Sequence, residues 1–119
     1  MALIYLATPY SDDDPKVEKE RFLAVNLAAG YLIKAGRHVF SPISHFHPIK
    51  EVMGLSGGWE YWKEYDEQMI SCCSEVIVLM LDGWDESVGV EAEMKIAGEQ
   101  GKPVTLMTLD MIKGLAKEQ

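Results

Sequence analysis

The sequence contains 119 residues, of which 48% are hydrophobic and 25% are charged, and its formal net charge at pH 7 is −8. This length is enough for one hydrophobic core and too short for two, so we expect residues 1–119 to form a single domain. The negative charge argues against binding to a nucleic-acid polymer, which requires many Lys and Arg side chains near phosphates. It does not exclude a small anionic ligand held by backbone amides at the start of a helix.

No stretch of the sequence is apolar over the length of a membrane span, and residues 1–5 lack the basic start of a signal peptide. We therefore expect no membrane partner and a cytoplasmic location. The two cysteines, Cys72 and Cys73, are adjacent on a predicted helix and point in different directions, so we expect no disulfide between them.

Strands and helices are predicted to alternate along the chain. Short apolar runs predict the strands, and apolar residues at helical spacing predict the helices. The predicted elements are, in chain order, a strand at Leu3–Ala7, a helix from Pro15 to Lys34 or Ala35, a strand at 37–40, a helix at 59–73, a strand at 76–81, a helix at 89–99, a strand at 103–107 and a short helix at Leu109–Lys117. Such alternation predicts a parallel sheet with helices on both faces. The expected fold is a small doubly wound α/β domain, a flavodoxin-like three-layer sandwich with a mainly parallel sheet of four to five strands.

The first predicted helix has clear signals at both ends. Asp14 is a typical cap, Pro15 suits the first turn, and Gly36 supplies the stop. Its apolar positions fit one helical face, and they are Leu23, Leu27, Tyr31 and Leu32.

The segment 43–58 is predicted to be irregular, because it contains Pro48 and three glycines. Long loops in a compact domain usually bind ligands or act as lids, so His45 and His47 are candidate ligand contacts. Two imidazoles alone fall short of the ligand set of a zinc site. We expect neither a metal nor another cofactor.

The helix at 89–99 directs one of its two glutamates toward the core. Val90, Met94 and Ala97 form its apolar stripe, and Glu93 lies within that stripe, whereas Glu91 is rotated toward solvent. The carboxyl end of a buried strand is where open α/β sheets place their ligands. By position alone, Glu93 is either a functional carboxylate or a partly solvated glutamate near a positive helix end.

A second carboxylate, Asp66, falls on the apolar stripe of the helix at 59–73. The topology brings it near Glu93 and Tyr5, and two inner-face carboxylates suit the roles of nucleophile and acid at an acetal-like carbon. We expect the helix N-terminus to keep Glu93 ionised. Alternatively, Asp66 is satisfied by a backbone amide or an arginine.

Several neighbouring residues have two readings each. Ser87 either caps the helix that follows or, with the amides after it, binds a phosphate or a sugar hydroxyl. Tyr10 either stacks on a base or packs within its loop. The same choice between stacking on a base and packing in the core applies to three aromatic residues, which are Trp59, Tyr61 and Trp62.

Three short segments together resemble the nucleoside 2-deoxyribosyltransferase superfamily, which includes the 2′-deoxynucleoside 5′-phosphate N-hydrolases. They are residues 4–6 in the first strand, Asp66 with Ile70, and the spaced set Gly89, Glu93 and Ala97. Within this superfamily, residues 5–11 and 40–43 are similar to a branch of small bacterial proteins of unknown function.

The resemblance implies cleavage or transfer of the N-glycosidic bond of a (deoxy)nucleoside or nucleoside 5′-monophosphate. Glu93 matches a nucleophilic glutamate that forms a glycosyl-enzyme, and Tyr5 matches a tyrosine that positions it. Asp66 matches an aspartate that contacts the base and helps to protonate it. The residues implied to bind substrate are Ser87, Gly89, Thr8, Tyr10, His45 and His47.

Two departures from the family pattern bear on the substrate. Lys95 stands where the family usually has glycine, and residues 11–14 are acidic where phosphate-binding relatives carry arginine. The alternative is a non-catalytic nucleotide-binding or sensing module that uses the same cleft. The resemblance also implies a homo-oligomer, and we expect the contact at residues 59–65 or 107–115.

Overall fold

The computed structural model of the protein describes residues 2–54 and 59–117, and it describes the side chains of all of these except 59–61. A single turn of 3-10 helix, Trp84–Glu86, connects the third strand to the fourth helix. The described strands and helices are, in chain order, β1 (Leu3–Ala7), α1 (Pro15–Lys34), β2 (His38–Phe40), α2 (Pro42–Met53), α3 (Trp59–Cys72), β3 (Glu75–Leu79), α4 (Val88–Glu99), β4 (Val104–Met107) and α5 (Leu109–Lys117).

The four strands form a parallel sheet in the order β2-β1-β3-β4, which confirms the doubly wound α/β fold. The chain leaves β1 toward β2 on one side and later returns to pair β3 on the other side. The strand order therefore reverses beside β1, and the crevice at the carboxyl ends of β1 and β3 is where such folds bind ligands.

Helices cover both faces of the sheet, because successive side chains of a strand point to opposite faces. One layer is built on Ile4 and Leu6 of β1, which pack with Val25 and Leu32 of α1 and Ile112 of α5. We call this layer the α1–α5 face.

The other layer, which we call the α3–α4 face, uses the alternate residues of the same strands. Tyr5 and Ala7 of β1 pack there with Ile70 of α3 and with Val90 and Ala97 of α4. Alternate residues of β1 therefore point to opposite faces of the sheet.

The ends of α1 confirm the predicted signals. Asp14 caps the helix by accepting a hydrogen bond from the backbone N–H of Lys16 at 2.9 Å. Gly36, just past the helix, adopts a left-handed φ of +81°. Glycine adopts this conformation at no steric cost, so it ends the helix here.

The buried face of α1 differs from the face predicted from Leu23 and Leu27. Val25, Ala28 and Leu32 are buried, whereas Leu23 and Leu27 are 54% and 49% exposed. A helix packs close to a sheet through small residues such as Ala28, so the buried face is centred away from Leu23 and Leu27.

The predicted irregular segment 43–58 is wrong over most of its length, because residues 42–53 form helix α2. Ser41 caps this helix by accepting a hydrogen bond from the backbone N–H of Ser44 at 3.2 Å, and Pro42 occupies the first turn. Gly54 ends it with a φ of +66°. Pro48 removes one donor but does not break the helix, which has signals at both ends. Residues 55–58 lie outside the described part.

Two further observations concern expectations from composition. Both cysteines are free thiols, and Cys72 is exposed whereas Cys73 is buried. Of the helices that the structure describes, none combines the length and the apolar character that crossing a membrane requires.

Candidate active site

Tyr5 and Glu93 meet at the centre of the α3–α4 face. The hydroxyl of Tyr5 donates a hydrogen bond to a carboxylate oxygen of Glu93, across 88 positions of sequence. Both side chains are buried, whereas Glu91 on the same helix is exposed. The spacing argument that separated Glu93 from Glu91 is therefore confirmed.

Asp66 of α3 completes a buried cluster with these two residues. The hydroxyl of Tyr5 also interacts with the carboxyl group of Asp66, so it lies near two carboxyl groups. Asp66 is 6% exposed, and its Oδ1 has no hydrogen-bond partner among the described residues. A buried oxygen without a partner costs about 1–3 kcal/mol, so Oδ1 is suited to meet a ligand.

Burial changes the protonation of both carboxyl groups. It raises the pKa of Asp66 from the usual 3.8 to about 7, although the interaction with the hydroxyl of Tyr5 opposes the change. Burial also raises the pKa of Glu93 well above its usual range, and the neighbouring charge of Asp66 adds to this. Like charges this close do not both ionise readily, so the pair shares one proton near neutral pH.

The hydroxyl of Tyr5 is held in its neutral form by the same surroundings. Burial raises the pKa of Tyr5 well above 10.0, and the charges of Glu93 and Asp66 raise it further. Tyr5 is therefore a hydrogen-bond donor at all physiological pH values, and it has a fixed direction toward the carboxyl groups.

The expectation that the start of α4 keeps Glu93 ionised is wrong. Helix α4 begins at Val88, so Glu93 lies in its second turn. The effect of the helix dipole is confined to the first turn, and burial of the carboxylate outweighs it. The hydrogen bond from Tyr5 is the local interaction that favours the ionised form of Glu93.

Ser87 caps α4, which is the structural one of its two predicted roles. Its Oγ accepts a hydrogen bond from the backbone N–H of Val90 at 3.2 Å. Gly89, two residues later, has room for a side chain, because an added Cβ would lie 3.9 Å from the Oγ of Ser87. Neither observation brings Ser87 or Gly89 into contact with the carboxyl groups.

The loop after β1 brings Thr8 and Tyr10 to the same edge of the sheet. Thr8 is 5% exposed, and its Oγ1 has no hydrogen-bond partner among the described residues. Arg21 of α1 donates hydrogen bonds to the backbone carbonyls of Tyr10 and Ser11, both at 3.2 Å, and to that of Asp82 at 3.1 Å. One guanidinium thus joins the loop after β1 to the connection after β3.

The same guanidinium explains a glycine in the connection after β3. Gly83 has a φ of +89°, and a Cβ at this position would lie 2.9 Å from Nη2 of Arg21. A larger residue at position 83 would displace Arg21. No local pattern indicates Arg21, since its role depends on two loops that are distant along the chain.

The two candidate histidines lie on α2 and have different surroundings. His47 is buried, and its Nδ1 is 2.6 Å from the hydroxyl of Tyr10. His45 is exposed and lies beside the rings of Phe40 and Tyr65. Two positions apart on a helix, the imidazoles point in different directions and do not form a chelate. Within residues 2–54 and 59–117, no three His, Cys, Asp or Glu side chains are grouped to hold a metal ion.

Aromatic packing joins α2 to the helix that carries Asp66. The ring of Phe46 stacks on Trp62 at 4.5 Å and meets Tyr65 edge-on at 4.6 Å. Of the aromatic residues predicted to stack on a base or to pack in the core, Trp62 packs against another ring of the protein. The side chains of Trp59 and Tyr61 lie outside the described part.

Comparison with known proteins gives a family and a structural neighbour. The model of a family described as Domain of unknown function (DUF1937) matches residues 2–109. Among solved structures, the chain is similar to a 2-deoxyribosyltransferase from the psychrotolerant bacterium Bacillus psychrosaccharolyticus. The two share 25% sequence identity and a TM-score of 0.60, over 90% of this chain and 72% of that chain. No curated protein matches the chain. The assignment to a particular branch of the superfamily stays a prediction.

Proposed function

The chain belongs to the family described as Domain of unknown function (DUF1937), and from that premise we propose that it cleaves or transfers the N-glycosidic bond of a nucleoside or nucleoside 5′-monophosphate. The observation that carries this proposal is the hydroxyl of Tyr5 between the buried carboxyl groups of Asp66 and Glu93. The likeness to a 2-deoxyribosyltransferase supports it.

Glu93 is the nucleophile in this proposal. Its carboxylate attacks the anomeric carbon of the sugar, a C1′–O bond forms, and the C1′–N bond breaks with its electron pair leaving on the base. Tyr5 donates a hydrogen bond to Glu93, which orients the carboxylate and favours its ionised form.

Asp66 is the acid. In this proposal the positive charge that develops at C1′ favours the ionised form of Glu93, so the shared proton resides on Asp66 and passes to the base as it leaves. Water or a second base then attacks C1′, gives its proton to Asp66 and releases Glu93. A pKa of about 7 suits a group that first donates and then accepts a proton near neutral pH.

Thr8 and Asp66 supply buried polar atoms for the ligand. The Oγ1 of Thr8 and the Oδ1 of Asp66 have no partners among the described residues, and a bound nucleoside offers hydroxyl and ring-nitrogen groups to satisfy them. Ser87 and Gly89 at the start of α4 remain candidates for the sugar or its phosphate. The hydroxyl hydrogen of Ser87 is free to donate, since its oxygen is the acceptor in the cap.

We also propose that residues 1–119 act as one domain that forms a homo-oligomer in the cytoplasm. Tyr65 and Met111 are 42% and 49% exposed within the predicted contact segments 59–65 and 107–115. Light scattering coupled to size exclusion tests this, and a monomeric mass at micromolar concentration would contradict it.

A non-catalytic nucleotide-binding module is the second candidate. The buried polar atoms without partners favour a bound ligand, but they do not by themselves require bond cleavage. Such a module would bind the same class of ligand without forming a glycosyl-enzyme.

The deciding experiment incubates the protein with the 2′-deoxynucleosides and their 5′-monophosphates, with and without an added free base, and measures base release by chromatography. Release without an acceptor indicates hydrolysis, and a new nucleoside with the acceptor indicates transfer. Binding without release from any compound would reject the enzyme and leave the binding module. Neither binding nor release would reject both.

A further inference from the structure

A second polar cluster lies beside the candidate active site, between the loop after β1 and helix α2. The hydroxyl of Tyr10 is 2.6 Å from Nδ1 of His47, and Nε2 of the same ring is 2.7 Å from Oε1 of Glu51. The His47 side chain is 7% exposed. Phe22 of α1 stacks on this imidazole with ring centres 4.1 Å apart and an angle of 21° between the planes. The ring therefore packs against Phe22 and has a polar neighbour at each nitrogen.

The charge of Glu51 favours one tautomer of His47, although Nε2 of His47 has no hydrogen-bond partner among the described residues. An ionised carboxylate only accepts, so its approach to 2.7 Å places a proton on Nε2 of His47. The N–H bond is not well aligned with that oxygen, and the contact is largely electrostatic. In a neutral imidazole with its proton on Nε2, Nδ1 is an acceptor, and Tyr10 must donate to it.

The direction of this bond determines what Tyr10 offers to a ligand. With its proton committed to His47, the Tyr10 oxygen has only acceptor capacity left. Lys50 lies 3.5 Å from that oxygen and also pairs with Glu18 at 3.0 Å, so it occupies one side. One lone pair is left that is able to accept a hydrogen bond from an O–H or N–H donor.

Tyr10 is also held at the edge of the sheet where the candidate site opens. It follows Thr8, whose buried hydroxyl has no partner among the described residues. Its backbone carbonyl is fixed by Arg21, which also holds the carbonyl of Asp82 ahead of α4. The backbone and the side chain of Tyr10 are thus anchored by different helices.

We propose that His47 is a positioning residue that turns the hydroxyl of Tyr10 into a fixed hydrogen-bond acceptor for a donor group of the bound nucleoside. Glu51 sets the tautomer of His47, and Phe22 sets the plane of its ring. This inference rests on the proposed nucleoside ligand and adds how that ligand is recognised. The donor is either the 5′-hydroxyl of the sugar or an exocyclic amino group of the base, since both present the same chemistry.

The test measures binding by calorimetry on the Glu93→Gln background, so that no bond is cleaved during titration. The probes are 2′-deoxyadenosine and 2′-deoxycytidine, which carry both donors, and their 5′-deoxy analogues, which lack the hydroxyl. Loss of one hydrogen bond predicts that Tyr10→Phe weakens binding about fivefold to tenfold. His47→Phe, which keeps the ring but not the acceptor, has the same effect, and the double variant is no weaker than either single variant.

Conservative and control variants separate positioning from stability. His47→Asn places an acceptor oxygen near the position of Nδ1, and we expect it to recover most of the affinity that His47→Phe loses. Tyr31→Phe, at a half-buried tyrosine on the α1–α5 face, leaves affinity unchanged. If Tyr10→Phe weakens binding of the probes that carry the 5′-hydroxyl but not of the 5′-deoxy probes, the donor is the sugar hydroxyl. If Tyr10→Phe weakens binding of both kinds of probe, the donor is the amino group of the base.

Two results would overturn the inference without touching the proposed function. The first is base release by the wild-type protein together with unchanged affinity in both Tyr10→Phe and His47→Phe. The second is a nitrogen NMR spectrum of the ligand-free protein that places the His47 proton on Nδ1. If neither probe binds the wild-type protein, the inference fails, and the proposed function fails with it only when the 5′-monophosphates also show neither binding nor base release.

Discussion

The two faces of the sheet are built from alternate residues of the same strands, and they differ in chemistry. On the α1–α5 face, Ile4 and Leu6 pack into an entirely apolar layer. On the α3–α4 face, the residue between them, Tyr5, contacts two buried carboxyl groups. The α1–α5 face therefore stabilises the fold by burying apolar area. The α3–α4 face contributes less stability, because it also buries ionisable groups away from water. The variants below test this division.

The largest effect is expected at Glu93. Glu93→Gln removes the nucleophile, and we expect base release to fall at least about 1,000-fold. Stability should be unchanged or higher, because the amide has no charge to bury. The matched control is Glu91→Gln on the solvent side of α4, with activity within about twofold. Equal loss in both variants, measured as kcat/KM, would contradict the assignment of the inner face.

The α1–α5 face should respond in the opposite way. Leu32→Ala creates a cavity among fully buried residues, and the free energy of unfolding should fall by about 2–5 kcal/mol. The activity of the protein that remains folded should stay close to the wild-type value. Urea unfolding followed by circular dichroism measures the change, with the half-exposed Leu27→Ala as the control. A large loss of kcat at full folding would show that the two faces are coupled.

Asp66→Asn combines a loss of activity with a gain in stability. Base release should fall about 100-fold or more, because the amide does not protonate the leaving base. The pKa of Asp66 is higher in the folded protein, so the folded state holds its proton more tightly. Its contribution to stability is therefore fully present at low pH and is lost as pH rises from 3.8 to about 7. The variant lacks this loss, and we expect it to be about 1–2 kcal/mol more stable than the wild type above pH 7.

Thermal unfolding at several pH values from 4 to 8 checks this expectation, with buffers of equal ionic strength. The raised pKa of Asp66 would be contradicted if the stability of the wild type, relative to that of Asp66→Asn, increased as the pH rises from 4 to 8.

The smallest effect is expected at the start of α4. Ser87→Ala removes the cap and should lower stability by about 1 kcal/mol. Ser87→Asp keeps a capping oxygen and restores that stability. If Ser87 also contacts the substrate, Ser87→Asp will discriminate against 5′-monophosphates relative to nucleosides by charge repulsion. Equal kcat/KM changes for both substrate classes would limit Ser87 to the cap.

Local signals were sufficient for most of the fold. Asp14, Gly36 and the apolar run of β3 each determine their own conformation, and the corresponding elements were predicted correctly. Helix α2 was missed because Pro48 and the nearby glycines outweighed the Ser41 and Pro42 start signal. The buried face of α1 was misplaced because a sheet also accepts small residues, which periodicity in large apolar residues does not reveal.

The candidate site was predictable only in part. Helical spacing alone placed Glu93 inside and Glu91 outside, and the family resemblance joined Glu93 to Tyr5 and Asp66. The protonation of Glu93 was mispredicted because it depends on burial in the folded protein and on the neighbouring Asp66, not on its place in one helix. The contact between Tyr10 and His47 joins residues 37 positions apart, and no local pattern predicts it.

The pairing of β1 with β3 has a consequence for how the protein folds. Leu3 and Ser74, at the start of this pairing, are 71 positions apart in the chain. Closing so long a loop is slow compared with forming the individual helices. Tyr5, Asp66 and Glu93 come together only after this closure, so a partly synthesised or partly unfolded chain lacks this cluster. The proposed chemistry therefore requires the folded chain.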